Sequence, residues 1–140
     1  GGQVLDLEGE GENLRKAQLV RIHENKTAAL LTTSLRLGGM TANATPRQLE
    51  ALTDFGYNLG LAFQVIDDIL DVTQSTEKLG KTAGKDEAVD KATYPSIIGL
   101  EKSKKEAQRL TKKSLAALST FGKKSSRLEE IAHYLLDREY

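Results

Sequence analysis

Residues 63–71 read Phe-Gln-Val-Ile-Asp-Asp-Ile-Leu-Asp and place three aspartates in an otherwise apolar segment. The flanking residues from Leu59 to Val72 leave almost no polar stripe, which is typical of a buried helix. Asp67 and Asp71 are four residues apart and share one helix face, with Asp68 beside it. Carboxylates left uncompensated there would be strongly destabilising, so a positive charge must meet them. Mg²⁺ suits such oxygen ligands, because it is commonly held by one or two carboxylates and completed by water and phosphate.

Several polar residues allow a structural and a functional interpretation. The aspartates could be paired with buried arginines, although three of them need more than one counter-charge, which favours a metal. Gln64 could be a buried amide satisfied by the backbone. Lys26 precedes Thr27 where a polar helical segment becomes apolar, and it could be an ordinary surface lysine. His23 is predicted to be a packed or surface histidine without a catalytic role.

A second group of basic residues lies in the segment after residue 73. Lys81, Lys85 and Lys91 are spaced through Gly80 and Gly84, a pattern that could clamp phosphate. The alternative is a charged loop without a role.

Length and composition indicate one ordinary domain. The chain has 140 residues, and its 20 basic and 20 acidic residues cancel, which argues against a general nucleic-acid binder. It has no cysteine, so it can form neither a disulfide nor a thiolate metal site, and a reducing compartment fits. An apolar run of about 18 residues is absent, and no basic and apolar leader opens the sequence. We therefore expect a soluble protein without a membrane span.

Hydrophobic periodicity predicts an all-α chain. Strand-like alternation is nearly absent, and both prolines, Pro46 and Pro95, stand where helices would begin. Thr45-Pro46-Arg47-Gln48 is a capping box with proline at the first helical position, and Ser126-Arg127-Leu128-Glu129 is another. The predicted helices span residues 3–7, 14–37 with a break near 23–25, 46–72, 95–121, and a last one from 126. The stretch 73–93 is predicted to be irregular and functional.

Glycines predict two further features of these helices. Gly38-Gly39 should end the second helix. Gly56 and Gly60 lie four residues apart in the third helix and should allow close approach of another helix.

Taken together, the motifs resemble the trans-type isoprenyl diphosphate synthases, and the likeness covers essentially the whole chain. Asp67 to Asp71 is similar to that family's second aspartate-rich motif. The chain is most similar to bacterial short-chain members that make farnesyl diphosphate, followed by geranylgeranyl diphosphate synthases. The matching segments, in the family's order, are Gly1-Gly2-Gln3-Val4-Leu5-Asp6-Leu7, His23 with Lys26-Thr27, Gly60 to Asp71, Leu79-Gly80-Lys81, Gly84 with Asp86, and Lys91 to Leu100.

The resemblance implies the C-terminal part of the isoprenoid synthase helical bundle and a role for each matching residue. The ligands of a Mg²⁺ cofactor would be Asp67, Asp68 and Asp71. The allylic diphosphate would be bound by Lys26, Thr27, Gln64, Lys81 and Lys91. Three of these residues would act in catalysis: Lys26, Thr27 and Gln64. The oxygen dipoles of Thr27 and Gln64 would face the carbon that becomes cationic. An outer polar layer would be formed by Gln3, Asp6 and Asp86.

The implied activity is condensation of isopentenyl diphosphate with an allylic diphosphate to give farnesyl diphosphate. In the family, a first aspartate-rich motif lies upstream of the position that matches Gly1. Residues 1–140 are therefore predicted to be one domain, the C-terminal half of a trans-prenyltransferase, inactive by itself. A homodimer or a self-associating fragment in the cytoplasm is expected, with neither a nucleic-acid partner nor a membrane span.

Four alternatives stay open at this level. The product could be geranylgeranyl diphosphate, or the chain could be a non-catalytic partner subunit of a prenyl synthase. A class I terpene cyclase would share the fold but should lack the phosphate contacts of Lys26-Thr27 and Gly80-Lys81. A plain helical interaction module gives no reason to bury aspartates.

Overall fold

The computed structural model describes residues 16–79 and 92–138, and these residues form helices with no strand among them. The prediction of an all-α fold is confirmed for this part of the chain. The predicted helix at residues 3–7 lies outside it. The elements in chain order are α1 Lys16–His23, a π-helical turn Glu24–Ala28, α2 Ala29–Thr41, α3 Pro46–Leu79, α4 Tyr94–Ile98, α5 Leu100–Ala117, a 3₁₀ segment Leu118–Ser125, and α6 Ser126–Leu136.

The long helix α3 is the centre of the fold and packs against every other described element. Its start is the predicted capping box: the Thr45 N–H donates to Gln48 Oε1 at 2.9 Å, and the Gln48 N–H donates to Thr45 Oγ1 at 3.2 Å. Burial of its apolar residues against α2 and α5 forms the core. The fully buried side chains of α3 include Phe55, Leu59, Ala62, Val65, Ile66 and Ile69.

Two glycines of α3 bring the preceding helices close, as predicted. A Cβ on Gly60 would meet Ala28 Cα at 2.5 Å, and one on Gly56 would meet Thr32 Cα at 3.0 Å. Since both contacts are with backbone atoms, only glycine permits this approach. The segment from α1 to α2 therefore lies directly on α3 and runs antiparallel to it.

Two predicted helix ends are wrong. Gly38-Gly39 does not end α2, which continues to Thr41, and the left-handed residue after it is Asn43 with φ 56°. Gly39 has a packing role instead, because a Cβ there would meet Leu52 Cδ1 at 2.7 Å. The stretch predicted to be irregular from residue 73 begins as helix, since α3 continues to Leu79.

The predicted helix 95–121 is interrupted at Gly99, where φ is 88° and ψ is 157°. This backbone conformation is nearly exclusive to glycine, so α4 ends there and α5 starts in a new direction. A capping box that the sequence analysis missed begins α4: the Ser96 N–H donates to Thr93 Oγ1 at 3.3 Å, and the Thr93 N–H donates to Ser96 Oγ at 2.9 Å.

The second predicted capping box is wrong by one residue. Helix α6 does begin at Ser126, but its N-cap is Ser125, which makes no capping bond. Ser125 Oγ is instead bonded to Glu129 Oε1 and to the Gly122 carbonyl, both at 2.7 Å. Helix α6 buries Ala132 and Leu136. None of the helices in the described ranges is both long and apolar enough to cross a bilayer.

Candidate functional site

A hydrogen bond joins two of the predicted catalytic residues across helices. Gln64 Nε2 in α3 donates to Thr27 Oγ1 in the π-helical turn at 2.8 Å, although the two residues are 37 positions apart in sequence. Gln64 is buried. The alternative interpretation was that the backbone satisfies its amide, but the amide nitrogen donates to the Thr27 hydroxyl instead. The fold therefore brings Thr27 to a residue of α3 that lies about one helical turn from Asp67 and Asp68.

The Lys26-Thr27 pair lies in a π-helical turn that spans Glu24–Ala28. The predicted break near residues 23–25 is wrong, because the helix continues through these residues and changes only to π-helical geometry at Glu24. Such turns insert an extra residue into an α-helix and occur frequently at functional sites. Because of this insertion, His23 and Thr27 both face α3 while Ala28 reaches Gly60. Lys26 is half-buried beside them.

A second link ties the π-helical turn to α3. Tyr57 Oη donates a hydrogen bond to Glu24 Oε1. This bond, together with partial burial and the charge of Glu24, raises the pKa of the Tyr57 hydroxyl to about 12. Neither residue was singled out in the sequence, because nothing in their spacing of 33 positions indicates contact.

Asp68 is the one aspartate of the trio that is buried, at 6% exposure. Its Oδ2 accepts a hydrogen bond from the Tyr94 N–H at 3.0 Å and lies 3.5 Å from His23 Nε2. His23 is itself buried and stacks on the Tyr94 ring, with centroids 5.4 Å apart. Of the two positions that the sequence left open for His23, packed or at the surface, the structure has the packed one, and its carboxylate partner was not predicted.

Asp67 and Asp71 lie on the accessible side of α3, so the prediction that the helix buries all three aspartates is wrong. The side chain of Asp67 is 47% exposed, and Asp71 is exposed. Asp67 Oδ1 lies 3.6 Å from Arg138 Nη1, and the Arg138 guanidinium stacks over Phe63, 4.7 Å from its ring centroid. The arginine pairing considered as an alternative thus exists at Asp67, at an accessible position.

The carboxylates around Asp67 offer Mg²⁺ a partial set of ligands. In the described ranges, no three histidine or carboxylate side chains converge closely enough to hold a metal by themselves. Asp67 and Asp71 nevertheless present two carboxylates one turn apart on an accessible face. That number fits Mg²⁺, which usually takes one or two carboxylates and fills its other positions with water and substrate phosphate. The residues fit a metal that binds together with a diphosphate.

Five predicted site residues lie outside the described residues, and their roles stay predictions: Gln3, Asp6, Lys81, Asp86 and Lys91.

Comparison with known proteins assigns the family. Residues 1–135 match the family model described as polyprenyl synthetase. The chain belongs to the polyprenyl synthetase family. The resemblance inferred from the motifs is therefore confirmed at the level of the family.

Polyprenyl synthetase relatives match along nearly the whole chain. Over 99% of its own length, this chain is 42% identical to farnesyl diphosphate synthase of Escherichia coli. It is 45% identical to chloroplastic geranylgeranyl pyrophosphate synthase of Capsicum annuum, also over 99% of its own length. A crystal structure of geranyltransferase from Helicobacter pylori, complexed with magnesium and isoprenyl diphosphate, superposes with a TM-score of 0.72 at 36% identity. It covers 97% of this chain, so the described helices have the isoprenyl synthase fold.

This polyprenyl synthetase chain spans less than half the length of those relatives. It covers 48% of the Escherichia coli enzyme, 38% of the Capsicum annuum enzyme and 45% of the Helicobacter pylori chain.

Proposed function

We propose that this chain carries the allylic diphosphate site of a Mg²⁺-dependent short-chain prenyltransferase, which condenses isopentenyl diphosphate with an allylic diphosphate. The hydrogen bond between Thr27 and Gln64 carries the proposal, because it joins Thr27, the neighbour of Lys26, to a residue of α3 that lies about one helical turn from Asp67. A cation, two neutral oxygen groups and accessible carboxylates then lie along one junction of α3. The names of the relatives agree with this class of transferase.

The chemistry follows from where charge develops. Lys26 would bind the diphosphate and stabilise it as the allylic carbon–oxygen bond breaks. The oxygen atoms of Thr27 and Gln64 would face the carbon that becomes cationic. When bound at Asp67 and Asp71, Mg²⁺ would supply Lewis-acid stabilisation of the leaving diphosphate. Lys81 and Lys91 are proposed as further diphosphate contacts, and Gln3, Asp6 and Asp86 as the polar layer around them.

The apolar residues of α3 would keep water away from the allylic cation. The double bond of isopentenyl diphosphate then attacks, and a proton must leave the new carbon skeleton. Neither Thr27 nor Gln64 is a strong base, so the released diphosphate is the proposed acceptor of that proton.

Farnesyl diphosphate is the proposed product, and geranylgeranyl diphosphate is the second candidate. The identities to named farnesyl and geranylgeranyl synthases, 42% and 45%, are too similar to separate them. A non-catalytic partner subunit is disfavoured, because Lys26, Thr27, Gln64 and the aspartates are all present.

We further propose that the 140 residues correspond to the C-terminal half of a synthase and bind diphosphate without turnover. The sequence contains one aspartate-rich motif, and the chain spans 48% of the Escherichia coli farnesyl diphosphate synthase. The second motif and the isopentenyl diphosphate site would belong to an upstream half. A cytoplasmic homodimer is the proposed state of the complete enzyme.

The first experiment measures binding of inorganic diphosphate to the 140-residue chain by calorimetry, with and without Mg²⁺. We expect Mg²⁺ to strengthen binding, and Asp67→Asn to weaken it by about tenfold or more, because a carboxylate ligand is lost. The matched control is Asp54→Asn. Asp54 is an exposed aspartate of the same helix, and the bond that it accepts from Asn58 goes to its backbone carbonyl, which the substitution keeps. An affinity for diphosphate that changes neither with Mg²⁺ nor with Asp67→Asn would contradict the proposed metal site.

The second experiment tests turnover. The upstream half of the Escherichia coli farnesyl diphosphate synthase is fused to this chain, and consumption of isopentenyl diphosphate is followed by diphosphate release. We expect Mg²⁺-dependent release of diphosphate, and we expect Asp67→Asn to abolish it. A folded fusion that releases no diphosphate would overturn the proposed reaction.

A further inference from the structure

A buried polar cluster joins three helices next to the proposed site. His23 at the end of α1, Asp68 in α3 and Tyr94 at the start of α4 are 4%, 6% and 0% exposed. The proposed reaction uses His23 and Tyr94 in no step, and it places Mg²⁺ at Asp67 and Asp71, which leaves Asp68 without a role. Their burial therefore requires a reason of its own.

One carboxylate oxygen holds the cluster together. Asp68 Oδ2 accepts the Tyr94 N–H at 3.0 Å and lies 3.5 Å from His23 Nε2. The Tyr94 N–H belongs to the first turn of α4, where backbone N–H groups lack partners within the helix. The His23 ring stacks on Tyr94, with centroids 5.4 Å apart, which fixes the direction in which its Nε2 points. Asp68 thus connects three elements through two neighbours that also contact each other.

The rotation of α3 follows from this anchor. At 3.6 residues per turn, Asp67 and Asp71 lie about 40° apart around the helix, and Asp68 lies about 100° from Asp67. With Asp68 directed into the core, Asp67 and Asp71 are directed to the accessible side, as their exposure shows. A rotation of α3 that freed Asp68 would turn Asp67 away from the Lys26-Thr27 pair.

We propose that His23 is a positioning residue: it holds Asp68 inside the core on the Tyr94 N–H, and this contact sets the direction of Asp67 and Asp71 toward a metal and diphosphate. The inference rests on the proposed function and deepens it. It assigns Asp68 to anchoring the helix, and it leaves Asp67 and Asp71 as the two carboxylates that meet the metal.

The first test measures the anchor itself, without metal, by amide hydrogen exchange of the 140-residue chain. His23→Phe keeps a ring that can stack on Tyr94 but removes the nitrogen that faces Asp68. We expect exchange of the Tyr94 amide to accelerate by about tenfold or more, while the Leu110 amide in α5 is unchanged. His23→Gln, which keeps an N–H donor, should recover most of the protection.

The matched control is His133→Phe. His133 is the second histidine of the chain and also contacts an aspartate, with its Nδ1 2.9 Å from Asp137 Oδ2, but it is exposed on α6. This variant should leave the Tyr94 amide unchanged. Unchanged Tyr94 protection in folded His23→Phe would overturn the proposal. If His23→Phe does not fold, His23→Leu, which also removes the nitrogen that faces Asp68, replaces it with the same expected and contradicting results.

The second test measures Mn²⁺ binding in the presence of inorganic diphosphate by electron paramagnetic resonance. We expect His23→Phe and Asp68→Asn each to weaken Mn²⁺ binding by about tenfold, as loss of a group behind the ligands does, and His23→Gln to restore it. Asp67→Asn should abolish it. Equal loss in Asp68→Asn and Asp67→Asn would make Asp68 a direct ligand and overturn the assignment. If the unmodified chain binds no Mn²⁺, the proposed metal site fails, while Tyr94 exchange still decides the role of His23.

Discussion

Adjacent residues of one helix have opposite environments at the centre of this site. The side chain of Asp67 is 47% exposed beside Arg138, whereas that of Asp68 is 8% exposed beside His23. A rotation of about 100° per residue is enough to separate them. A motif of three aspartates therefore contains at least two physical roles.

The contact between Thr27 and Gln64 predicts a cost for removing one hydroxyl. Thr27→Val leaves the buried Gln64 amide without its acceptor, so the free energy of unfolding should fall by about 1–3 kcal/mol in urea denaturation. Thr32→Val is the matched control, because the buried Thr32 hydroxyl has no hydrogen-bond partner within the described structure. The free energy of unfolding of Thr32→Val should stay the same or rise. Equal losses in both variants would show that the bond to Gln64 adds nothing.

The close contact at Gly60 gives a second prediction for a single residue. Gly60→Ala places a Cβ 2.5 Å from Ala28 Cα, so the helices must separate, and the free energy of unfolding should fall by about 1–3 kcal/mol. Gly38→Ala in α2 is the control, since nothing lies within 4 Å of its Cβ. It should stabilise the protein by about 0.5–1 kcal/mol through helix propensity. Thermal or urea unfolding measures the stability of both variants. An unchanged free energy of unfolding in Gly60→Ala would show that the contact between Gly60 and Ala28 does not limit side-chain size.

At the scale of elements, departures from regular helix separate the functional segments. The π-helical turn directs His23 and Thr27 to α3, and Gly99 separates α4, which carries Tyr94, from α5. Each departure has a local cause: an inserted residue in the first case and a backbone conformation reserved for glycine in the second. The site is assembled where these two interruptions meet the continuous helix α3.

Helix α5 carries an ion pair whose effect should depend on pH. The Arg109 guanidinium, bonded to Glu106 at 2.8 and 2.9 Å, lowers the pKa of that carboxyl below its ordinary value of 4.5. A lowered pKa in the folded state stabilises the protein above the ordinary value, and this contribution is lost as the pH falls through the folded value. Glu106→Gln should therefore be less stable by about 0.3–1 kcal/mol near pH 7, and this difference should shrink near pH 3.

Urea denaturation at both pH values measures this effect. The control is Glu130→Gln, which breaks the pair with Arg127, whose two side chains are 62% and 87% exposed. Solvent screens that pair more strongly, so its loss should matter less. A difference for Glu106→Gln that grows toward acid would reverse the assigned sign.

At the scale of the whole molecule, α2 leaves an apolar face uncovered. Leu30 is 69% exposed, Leu37 59% and Met40 49%, and their spacing places them along one side of the helix. A nearby groove of about 420 Å³ between α2, α3 and α6 is lined by apolar residues that include Leu35 and Ile131. Contiguous exposed apolar surface of this kind favours association.

We therefore expect the 140-residue chain to self-associate through α2. Leu30→Gln combined with Leu37→Gln should raise the dimer dissociation constant by about tenfold or more in sedimentation experiments, because two large apolar side chains leave the contact. Tyr134→Gln is the control, since Tyr134 is 86% exposed on α6. A chain that is monomeric at all accessible concentrations would contradict the expectation.

Local signals predicted the elements better than their ends. The Thr45–Gln48 capping box and the close approach at Gly60 are both present, because each depends on a few neighbouring residues. The predicted end at Gly38-Gly39 is wrong, because packing of Gly39 against α3 outweighs the low helix propensity of glycine. The predicted end near residue 73 is wrong, because the helix continues through polar residues to Leu79. The interruption at Gly99 depends on a positive φ that glycine allows but does not require.

The sequence by itself determined the helical class, the central helix and the identity of the polar residues around it, because periodicity and capping act over a few positions. Only the tertiary structure decided which aspartate is buried. It also decided that His23 and Tyr94 meet Asp68, and that Gln64 bonds Thr27. Those pairings join residues that are 26 to 45 positions apart, and rotation of a helix about its axis, set by packing, determines them.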